Sequence, residues 1–446
     1  MSVEADWFLR AHPDITTIEA LLPDCNGVMR GKWLPRHKLA KVYQGEFKLP
    51  VTALSLDIWG RDVEKLVFES GDADGICRPV EGSLHATPWV GDSHGQVMLS
   101  LYNLDNTPYM GDPRHVLKQV VSRFHNAGWR PVAAAELEFS LVQHDIDGIK
   151  HTCPVPAGHS PIGGNTYGVD VLQTHAKLLE EIRRACELQE LPFDGIVKES
   201  APSQYEINMQ HVDNPVLAAD QIQLMKRLIK GVAAKHGLVA SFMAKPFENE
   251  AGNGMHVHCS VLDDRDHNIF DDGGPLGTDL LRHAVAGCLQ FMTECMAVFA
   301  PNYNSYRRFQ PGAHAPTSPC WGYENRTVSV RVPAGKPAAR RLEHRVAGAD
   351  TNPYLVFAAL LASIMDGIDQ QLDPGEPITG NGYEQAGETL PIYLSDAIKL
   401  FESSDFIERN LGSELQRIYS LSKWQENAEF RSKITELEYQ SYLEKL

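Results

Sequence analysis

The most informative segment of the chain is PVAAAELEFSLV (residues 131–142), which contains the first candidate site residues. Strand side chains alternate between two faces, so Glu136 and Glu138 share one face, whereas Leu137 and Phe139 share the other. Taken alone, the two glutamates are more typical of a solvent-exposed strand face. However, neighbouring carboxylates repel each other and need a cation or bulk water between them. The segment therefore predicts a strand whose polar face is either solvated or part of a cation site.

The same alternation recurs in three further segments. Their polar faces carry His256, His258 and Ser260 in GMHVHCS (254–260), Glu199 and Glu206 around a short turn in KESAPSQYEINM (198–209), and Arg341, Glu343 and Arg345 in RRLEHRV (340–346). Four such faces on one sheet indicate the wall of a site. Carboxylates with an imidazole suit Mg²⁺ or Mn²⁺, and two such ions can clamp a transferring phosphoryl group. Nearby arginines could hold phosphates by forked hydrogen bonds, since the chain has no GxxxxGK[ST] loop.

Composition limits the class of protein. At 446 residues, with 43% hydrophobic and 22% charged residues, the chain predicts a globular protein of two or more domains. Its net charge of −17 disfavours nucleic acid and would attract cationic small molecules. No apolar run approaches a membrane span and no secretory signal is visible, so we expect no membrane partner and a cytoplasmic location. The eight cysteines form no CxxC pair, which favours reduced thiols.

The order of predicted elements indicates an α+β protein. Five strand-like runs (ITTIEALLP, GVMRGKWLP, PVTALSLDI, KLVFE and QVMLSLY) predict a small β-rich N-terminal domain. A helix is expected over 112–128, with Asp112 as its cap, and a long loop over 144–165. Further helices are predicted at roughly 170–189, 216–236, 277–298, 353–371 and 394–445, with strands between most of them. The larger part of the chain thus predicts a sheet flanked by helices.

Seven segments, in this order, resemble the signatures of the glutamine synthetase family. They are GVMRGKWLP, AELEF, KESAPSQYE, GMHVHCS, NYNSYRRFQPGAHAP, ENRTVSVRVP and ARRLEHRVAGADTNPYLVFAALL. The resemblance implies a β-grasp-like N-terminal domain (1–108) and a catalytic domain (109–446) whose curved antiparallel sheet forms a half-barrel flanked by helices. It also implies a homo-dodecamer of two stacked hexameric rings, with active sites between subunits.

The resemblance further implies a role for each matching residue. Glu138, Glu199 and Glu206 would bind one Mg²⁺ or Mn²⁺ ion, and Glu136, His256 and Glu343 the other. ATP would contact His258, Ser260, Arg331 and Arg341, with Arg326 at the transferring phosphate. Glutamate would be held by Gly252, Arg308 and Arg345, although Ala251 stands where the family usually has asparagine. ATP would phosphorylate the γ-carboxylate of L-glutamate, and a nitrogen nucleophile would then displace phosphate.

The sequence departs from the family at the nucleophile site. His314 stands where glutamine synthetases keep a glutamate that takes a proton from ammonium, and an Asp-Gly-Ser-Ser segment is missing near LPVTALSLD (49–57). Without these anionic groups, a small cation would lose hydration without compensation. A neutral imidazole could instead accept a proton from an organic amine. These departures favour the γ-glutamylpolyamine synthetase branch, with a polyamine such as putrescine as the amine and a role in polyamine catabolism.

Four alternatives remain open from the sequence. The amine could be a monoamine such as ethanolamine, or the chain could be a glutamine synthetase that uses ammonia. A structural or regulatory protein on the same fold would be expected to lack metal ligands, whereas all six matching ligands are present. His314 could also be a loop residue without a part in the reaction.

Overall fold

The computed structural model describes residues 2–146, 148–152, 164–310, 312–313, 315–385 and 387–446. The strands are β1 (Thr17–Pro23), β2 (Met29–Pro35), β3 (Lys48–Pro50), β4 (Asp74–Pro79), β5 (His85–Ala86), β6 (His94–Tyr102), β7 (Arg130–Asp145), β8 (Gly148–His151), β9 (Phe193–Lys198), β10 (Gln204–Met209), β11 (Val239–Ser241), β12 (Met255–Leu262), β13 (Trp321–Tyr323), β14 (Val330–Val332) and β15 (Leu342–His344). The α-helices are α1 (Val3–Ala11), α2 (Leu39–Tyr43), α3 (Glu64–Ser70), α4 (Pro113–Asn126), α5 (Val169–Leu172), α6 (Ala176–Leu188), α7 (Pro215–Lys235), α8 (Asp279–Gln290), α9 (Met296–Phe299), α10 (Pro353–Asp369), α11 (Gly382–Gln385), α12 (Leu394–Glu402), α13 (Asp405–Leu411), α14 (Ser413–Ser432) and α15 (Glu436–Tyr442).

The N-terminal part of the chain forms a six-stranded sheet. Its strand order is β2-β1-β6-β4-β3, with β5 added along β6. Strands β1 and β6 run parallel, which requires the long crossover between them, and the other neighbours are antiparallel. One face of this sheet buries its own apolar cluster, in which Phe8 of α1 packs with Ile18 of β1 and Leu99 of β6. This cluster is separate from the core of the larger sheet.

Two of the five predicted N-terminal strands are wrong. The run KLVFE lies in helix α3, which buries Leu66 but leaves Phe68 exposed. The run PVTALSLDI forms a turn of 3-10 helix over Val51–Leu54, and the strand nearby is β3, directly before it. Short apolar runs do not distinguish a strand from a helix by periodicity, because each buries only one or two side chains. The other three runs correspond to β1, β2 and β6.

The larger sheet has nine strands in the order β13-β14-β15-β12-β7-β10-β9, with β8 and β11 also paired to β7. Its pairs are antiparallel apart from β13 with β14. The long strand β7 is central, and Leu137, Phe139 and Leu141 on one of its faces are fully buried. The opposite face carries Glu136 and Glu138, as the alternation predicts. The expected α+β fold with a curved, mostly antiparallel sheet flanked by helices is confirmed.

Helices α4, α7, α8 and α10 build the main core. Helix α10 is buried along almost its whole length, and it begins where the side chain of Asn352 accepts hydrogen bonds from two backbone N–H groups. It crosses α8 closely, because a Cβ atom on Gly287 would lie only 2.0 Å from the carbonyl oxygen of Ser363. Glycine is therefore required at this contact. No helix in the described part of the chain is long and apolar enough to cross a membrane.

Helix prediction was accurate where one amphipathic pattern is uninterrupted. The expected helix at 112–128 is α4, capped by Asp112 as predicted, and the one at 216–236 is α7. The expected helix at 170–189 is divided into α5 and α6, and the one at 277–298 into α8 and α9. The predicted loop at 144–165 contains β8, which pairs with β7; residues 153–163 lie outside the described part of the chain.

Candidate active site

Strand register brings the predicted metal ligands together on one face of the large sheet. Glu136 of β7 lies opposite His256 of β12. On the other side of β7, Glu138 lies opposite Glu206 of β10. His258 of β12 lies opposite Glu343 of β15. Because directly opposed residues point to the same face, these three antiparallel pairs form one continuous polar surface.

This surface is the wall of a cavity of about 520 Å³. The predicted site residues that line it are Glu136, Glu138, Glu199, Glu206, Gly252, His256, Arg308, Arg326 and Arg345. Among the other predicted residues, His258, Ser260, Arg331, Arg341 and Glu343 do not line it. His314 lies outside the described residues, although its neighbours Ala313 and Ala315 line the cavity. Nine residues predicted from separate segments thus meet in one place.

Glu136 is held between two histidines of β12. Its Oε2 atom lies 3.1 Å from His256 Nδ1, and its Oε1 atom lies 2.9 Å from His258 Nε2. Burial by itself raises the pKa of Glu136, but hydrogen bonds and charge from the two imidazoles outweigh burial and hold the pKa far below its usual range. Glu136 is therefore a carboxylate at any ordinary pH.

The opposite part of the cavity has an excess of carboxylates. Burial, together with the charges of Glu136, Glu138 and Glu199, raises the pKa of Glu206 to about 9. Burial and the charge of Glu138 raise the pKa of Glu199 to about 7. Crowded carboxylates that hold their protons so strongly are the arrangement that a divalent cation stabilises.

Ligand atoms at the cavity also lie close enough to share an ion. One oxygen each of Glu136 and Glu206 and a nitrogen of His256 all lie within 4.8 Å of one another, as do atoms of Glu136, His258 and Glu343. These oxygen-rich donor sets fit Mg²⁺ or Mn²⁺. The predicted division of six ligands between two ions is a different grouping and stays a prediction.

Glu343 has two arginine partners. Its Oε2 atom accepts a 2.6 Å hydrogen bond from Arg331, and its Oε1 atom accepts one from Arg345. Although burial raises the pKa of this fully buried carboxyl, Arg345 and the two histidines of β12 lower it to about 2. A residue expected at a metal, one expected at phosphate and one expected at glutamate therefore form a single ion-pair network.

Arg308 is a buried cation that faces the cavity. Its guanidinium donates a 2.8 Å hydrogen bond to the carbonyl oxygen of Val346, and no described carboxylate lies within ion-pair distance. Burial lowers its pKa, and the charge of Glu138 opposes that shift. Gly252 lies against its side chain, where a Cβ atom would be 3.0 Å from Arg308 Cγ. A buried guanidinium without a carboxylate partner suits an anionic ligand.

Two further residues belong to the site but were not predicted. Gln204 is almost fully buried, and its Nε2 atom lies 3.1 Å from Glu138 Oε2 and 2.8 Å from the carbonyl oxygen of Gly252. Asn208 donates a 2.8 Å hydrogen bond to Glu206. Gln204, Glu206 and Asn208 are every second residue of β10 and so share one face, which means that the same-face rule that selected the glutamates could have found the other two.

Comparison with known proteins agrees with this geometry. The family model for the glutamine synthetase catalytic domain matches residues 110–442. The chain belongs to the glutamine synthetase family. It is 40% identical to γ-glutamylputrescine synthetase PuuA of Escherichia coli (strain K12) over 98% of this chain and 93% of that protein. It is 32% identical to γ-glutamylethanolamide synthetase GlnA4 of Streptomyces coelicolor over 100% of this chain and 96% of that protein.

A solved structure gives the same result. GmaS without ligand matches 100% of both chains with a TM-score of 0.86 and 29% sequence identity. The family predicted from the seven segments is thus confirmed, as is its class of enzyme, a carbon–nitrogen ligase. Enzymes of this family use ATP and divalent metal ions, which agrees with the carboxylate and histidine groups at the cavity.

Proposed function

We propose that this protein phosphorylates the γ-carboxylate of L-glutamate with ATP and joins it to an organic amine, foremost a polyamine such as putrescine. The products are a γ-glutamyl amide, ADP and phosphate, and the reaction would serve polyamine catabolism. The observation that carries the proposal is the meeting of four carboxylates and His256 with the buried cation Arg308 at one cavity. This arrangement suits a reaction between two anionic substrates.

The carboxylates would hold two Mg²⁺ or Mn²⁺ ions per site. We assign Glu138, Glu199 and Glu206 to one ion, and Glu136, His256 and Glu343 to the other. When bound, such ions neutralise charge on the oxygens of the transferring phosphoryl group. Burial and the charges of neighbouring carboxylates raise the pKa values of Glu199 and Glu206, which supports a cation beside these two residues.

The arginines would position the two anionic substrates. Arg308 and Arg345, with the backbone at Gly252, would hold glutamate so that its γ-carboxylate faces the triphosphate. Arg326, which is exposed at the mouth of the cavity, would meet the phosphoryl group during transfer. ATP would extend towards His258, Ser260, Arg331 and Arg341. The γ-carboxylate oxygen attacks the terminal phosphorus, ADP leaves, and an uncharged amine then displaces phosphate from the acyl carbon and loses one proton.

The choice of an organic amine rests on the loop side of the cavity. Ala251, Ala313 and Ala315 line it, and their short side chains leave space for an alkyl chain. His314 between two of them would accept the proton of the amine, a role that a neutral imidazole can serve near pH 7. The net charge of −17 favours approach of a polycation. Similarity to a putrescine enzyme over almost the whole chain further supports a polyamine.

An amine panel tests the proposal. Phosphate release from ATP and glutamate would be measured with putrescine, longer polyamines, ethanolamine, alkylamines and ammonia, with Mg²⁺ and Mn²⁺ compared. We expect putrescine or another polyamine to give the highest kcat/KM and ammonia a far lower one. Equal or better turnover with ammonia would overturn the proposal, and preference for ethanolamine would select the monoamine alternative suggested by the GlnA4 relative. Absence of both metal and ATP binding would favour a non-catalytic protein.

The role of His314 needs its own test. In His314→Gln, loss of the proton acceptor should lower kcat with putrescine and flatten the pH dependence near neutrality, with little change in the KM for ATP. In His314→Glu, a carboxylate is restored where ammonia-using relatives keep one, so the ratio of ammonia to putrescine turnover should rise. Unchanged amine preference and pH dependence in both variants would remove His314 from the reaction.

We also propose a cytoplasmic homo-dodecamer of two stacked hexameric rings with active sites between subunits. Each subunit would consist of the N-terminal domain (1–108) and the catalytic domain (109–446). The smaller apolar cluster, whose buried residues all lie between Ala5 and Leu101, supports an N-terminal domain with a core of its own. Light scattering coupled to size-exclusion chromatography would measure the assembly, and a stable monomer with full activity would contradict it.

A further inference from the structure

The loop at residues 310–317, which contributes Ala313 and Ala315 to the active-site cavity, is held in place by few hydrogen bonds. Between described residues, only two hydrogen bonds join this loop to a distant part of the chain, and both donors lie in residues 378–390. We call residues 378–390 the bridging segment; residue 386 within it lies outside the described part of the chain. The conformation of the loop therefore depends on contacts with the bridging segment.

Tyr383 makes the hydrogen bond that lies nearer the cavity. Its phenolic O–H donates to the carbonyl oxygen of Ala315, 3.0 Å away, and Ala315 is only 1% exposed. No other group in the described part of the chain donates to this oxygen. The second bond runs from the backbone N–H of Leu390 to the carbonyl oxygen of Thr317, at 2.8 Å, and holds the far end of the loop. Because a buried carbonyl without a donor is costly, the hydroxyl of Tyr383 should fix the cavity end of the loop.

The bridging segment is itself anchored on both sides of Arg326, which lines the cavity. The side-chain amide of Asn325 donates a 2.9 Å hydrogen bond to the carbonyl oxygen of Gly380. The hydroxyl of Thr327 accepts a 2.8 Å hydrogen bond from the backbone N–H of Gly382. A Cβ atom on Gly382 would lie 2.8 Å from the carbonyl oxygen of Thr327, so a larger residue would displace the segment. The segment thus connects the neighbours of Arg326 to the loop on the amine side of the cavity.

We propose that Tyr383 is a positioning residue for the amine. Its hydroxyl, through the main chain of Ala315, holds the loop at residues 310–317 in the conformation that fits an alkyl amine and excludes water. This inference rests on the proposed function, in which the amine enters beside Ala313 and Ala315. Because Ala315 directly follows His314 in the chain, the same bond fixes the backbone next to the proposed proton acceptor.

Two reactions compete for the γ-glutamyl phosphate of the proposed function. An amine that attacks the acyl carbon forms a C–N bond, loses a proton and expels phosphate, whereas water that attacks the same carbon returns glutamate and phosphate. A loop that fits the alkyl chain favours the first reaction, because it holds the amine close to the acyl carbon and keeps water out. The ratio of phosphate released to amide formed therefore measures how well the loop is held, whatever the overall rate.

Tyr383→Phe tests the role of the hydroxyl, because it keeps the ring and removes only the O–H group. We expect the KM for putrescine to rise about fivefold or more and the ratio of phosphate to amide about twofold or more, since a buried carbonyl loses its donor. The KM for ATP should change less than about twofold. Tyr323→Phe is the matched control, since the hydroxyl of Tyr323 also donates to a backbone carbonyl, that of Leu276 at 3.0 Å, but Tyr323 does not line the cavity.

Hydrogen exchange of the full-length assembled protein tests the contact itself, without turnover. In Tyr383→Phe, the backbone N–H groups of residues 310–317 should exchange faster than in the wild type, because local opening of the loop becomes easier. Tyr323→Phe should leave exchange in this loop unchanged.

Three results would overturn the proposal. One is unchanged exchange in the loop of Tyr383→Phe, and another is an unchanged KM for putrescine with an unchanged ratio of phosphate to amide. The third is an equal rise in the KM for ATP and for putrescine at an unchanged ratio, which would show a general structural role. If Tyr383→Phe does not fold, Thr327→Val replaces it, because it removes the acceptor of the Gly382 N–H group and should give the same pattern.

The test separates this inference from the proposed function. If the wild type turns over no amine, the proposed function fails and the amine role of Tyr383 fails with it, while hydrogen exchange still decides whether Tyr383 holds the loop. If the wild type prefers an organic amine but Tyr383→Phe behaves like the wild type, the inference alone fails.

Discussion

Replacing Glu206 by glutamine should stabilise the metal-free protein and abolish its activity. The folded protein keeps a proton on Glu206 up to a pKa of about 9, compared with an ordinary value of 4.5, because the carboxyl is buried among other carboxylates. Below about pH 4.5 the carboxyl is protonated in both the folded and the unfolded state, and its pKa shift costs no stability. As pH rises from 4.5 towards 9, the unfolded state releases this proton first, so the free energy of unfolding falls. Glutamine has no charge to lose or gain, so it avoids this cost while keeping a similar shape.

The size of the effect follows from the pKa shift. Each pH unit between the two pKa values changes the free energy of unfolding by about 1.4 kcal/mol, so at pH 8 the carboxyl costs on the order of 5 kcal/mol. The glutamine oxygen can still accept the hydrogen bond from Asn208, and its amide can donate to Glu138 on the facing strand. We therefore expect Glu206→Gln to gain at least about 2 kcal/mol at pH 8 and less than about 1 kcal/mol at pH 5.

Thermal unfolding of the chelator-treated protein at pH 5 and pH 8 provides the assay. Glu206→Gln should have the higher Tm at pH 8, and the difference should nearly disappear at pH 5. Saturating Mg²⁺ or Mn²⁺ should reverse the order, since the wild type binds the ions more tightly in its folded state. Phosphate release should be lost in the variant under every metal condition.

The control is Glu181→Gln, in which a half-buried carboxylate paired with Lys235 and His236 loses its charge. The pKa of Glu181 is lowered by these partners, so its replacement should give no gain at pH 8. Two results would refute the reasoning for Glu206. One is a lower Tm of Glu206→Gln at pH 8 without metal, and the other is an equal gain at both pH values, which would show that ionisation is not the cause.

Three further changes test the rest of the site and its support. Gly252→Ala places a methyl group 2.3 Å from the carbonyl oxygen of Ala244, so the KM for glutamate should rise about tenfold or more, with a smaller change in the KM for ATP. Gln204→Leu leaves buried polar partners unsatisfied and should lower the free energy of unfolding by about 2–4 kcal/mol, measured by denaturant titration. Asp220→Ala removes the carboxylate that accepts two 2.8 Å hydrogen bonds from the nearly buried Arg114, and it should lower the free energy of unfolding by about 3–5 kcal/mol. A loss below about 1 kcal/mol would show that water replaces the carboxylate.

The sequence predicted the elements of the site better than their pairing. Alternation placed Glu136 and Glu138 on one face correctly, because the period of a strand is local information. The contact of Glu343 with Arg331 depends on the register of β14 against β15, which are three residues each and are joined by residues 333–341. Strands this short carry almost no periodic signal, so their partners depend on the assembled sheet.

The failures in the N-terminal part have a related cause. Helix α1 was not predicted because it buries only Ala5 and Phe8, although Ser2 provides its cap. The run KLVFE in α3 has high strand propensity, yet a helix there buries Leu66 and leaves Phe68 in solvent. Tertiary packing overrides local preference when a segment contributes so few buried side chains.

The proposed metal ligands lie on the sheet and the proposed amine-side residues on loops, and this difference bears on how the preference for an amine can change. The proposed metal ligands Glu136, Glu138 and His256 lie on long paired strands, where a shift of one residue would turn them to the other face. By contrast, Ala251 and Ala313, which line the cavity, lie on connecting segments, which tolerate changes in side-chain size without moving the sheet. In the proposed reaction, activation of glutamate would therefore be constrained by register, whereas selection of the amine would depend on a few loop side chains. A change of amine preference should consequently need substitutions in these loops alone, with the KM for ATP left unchanged.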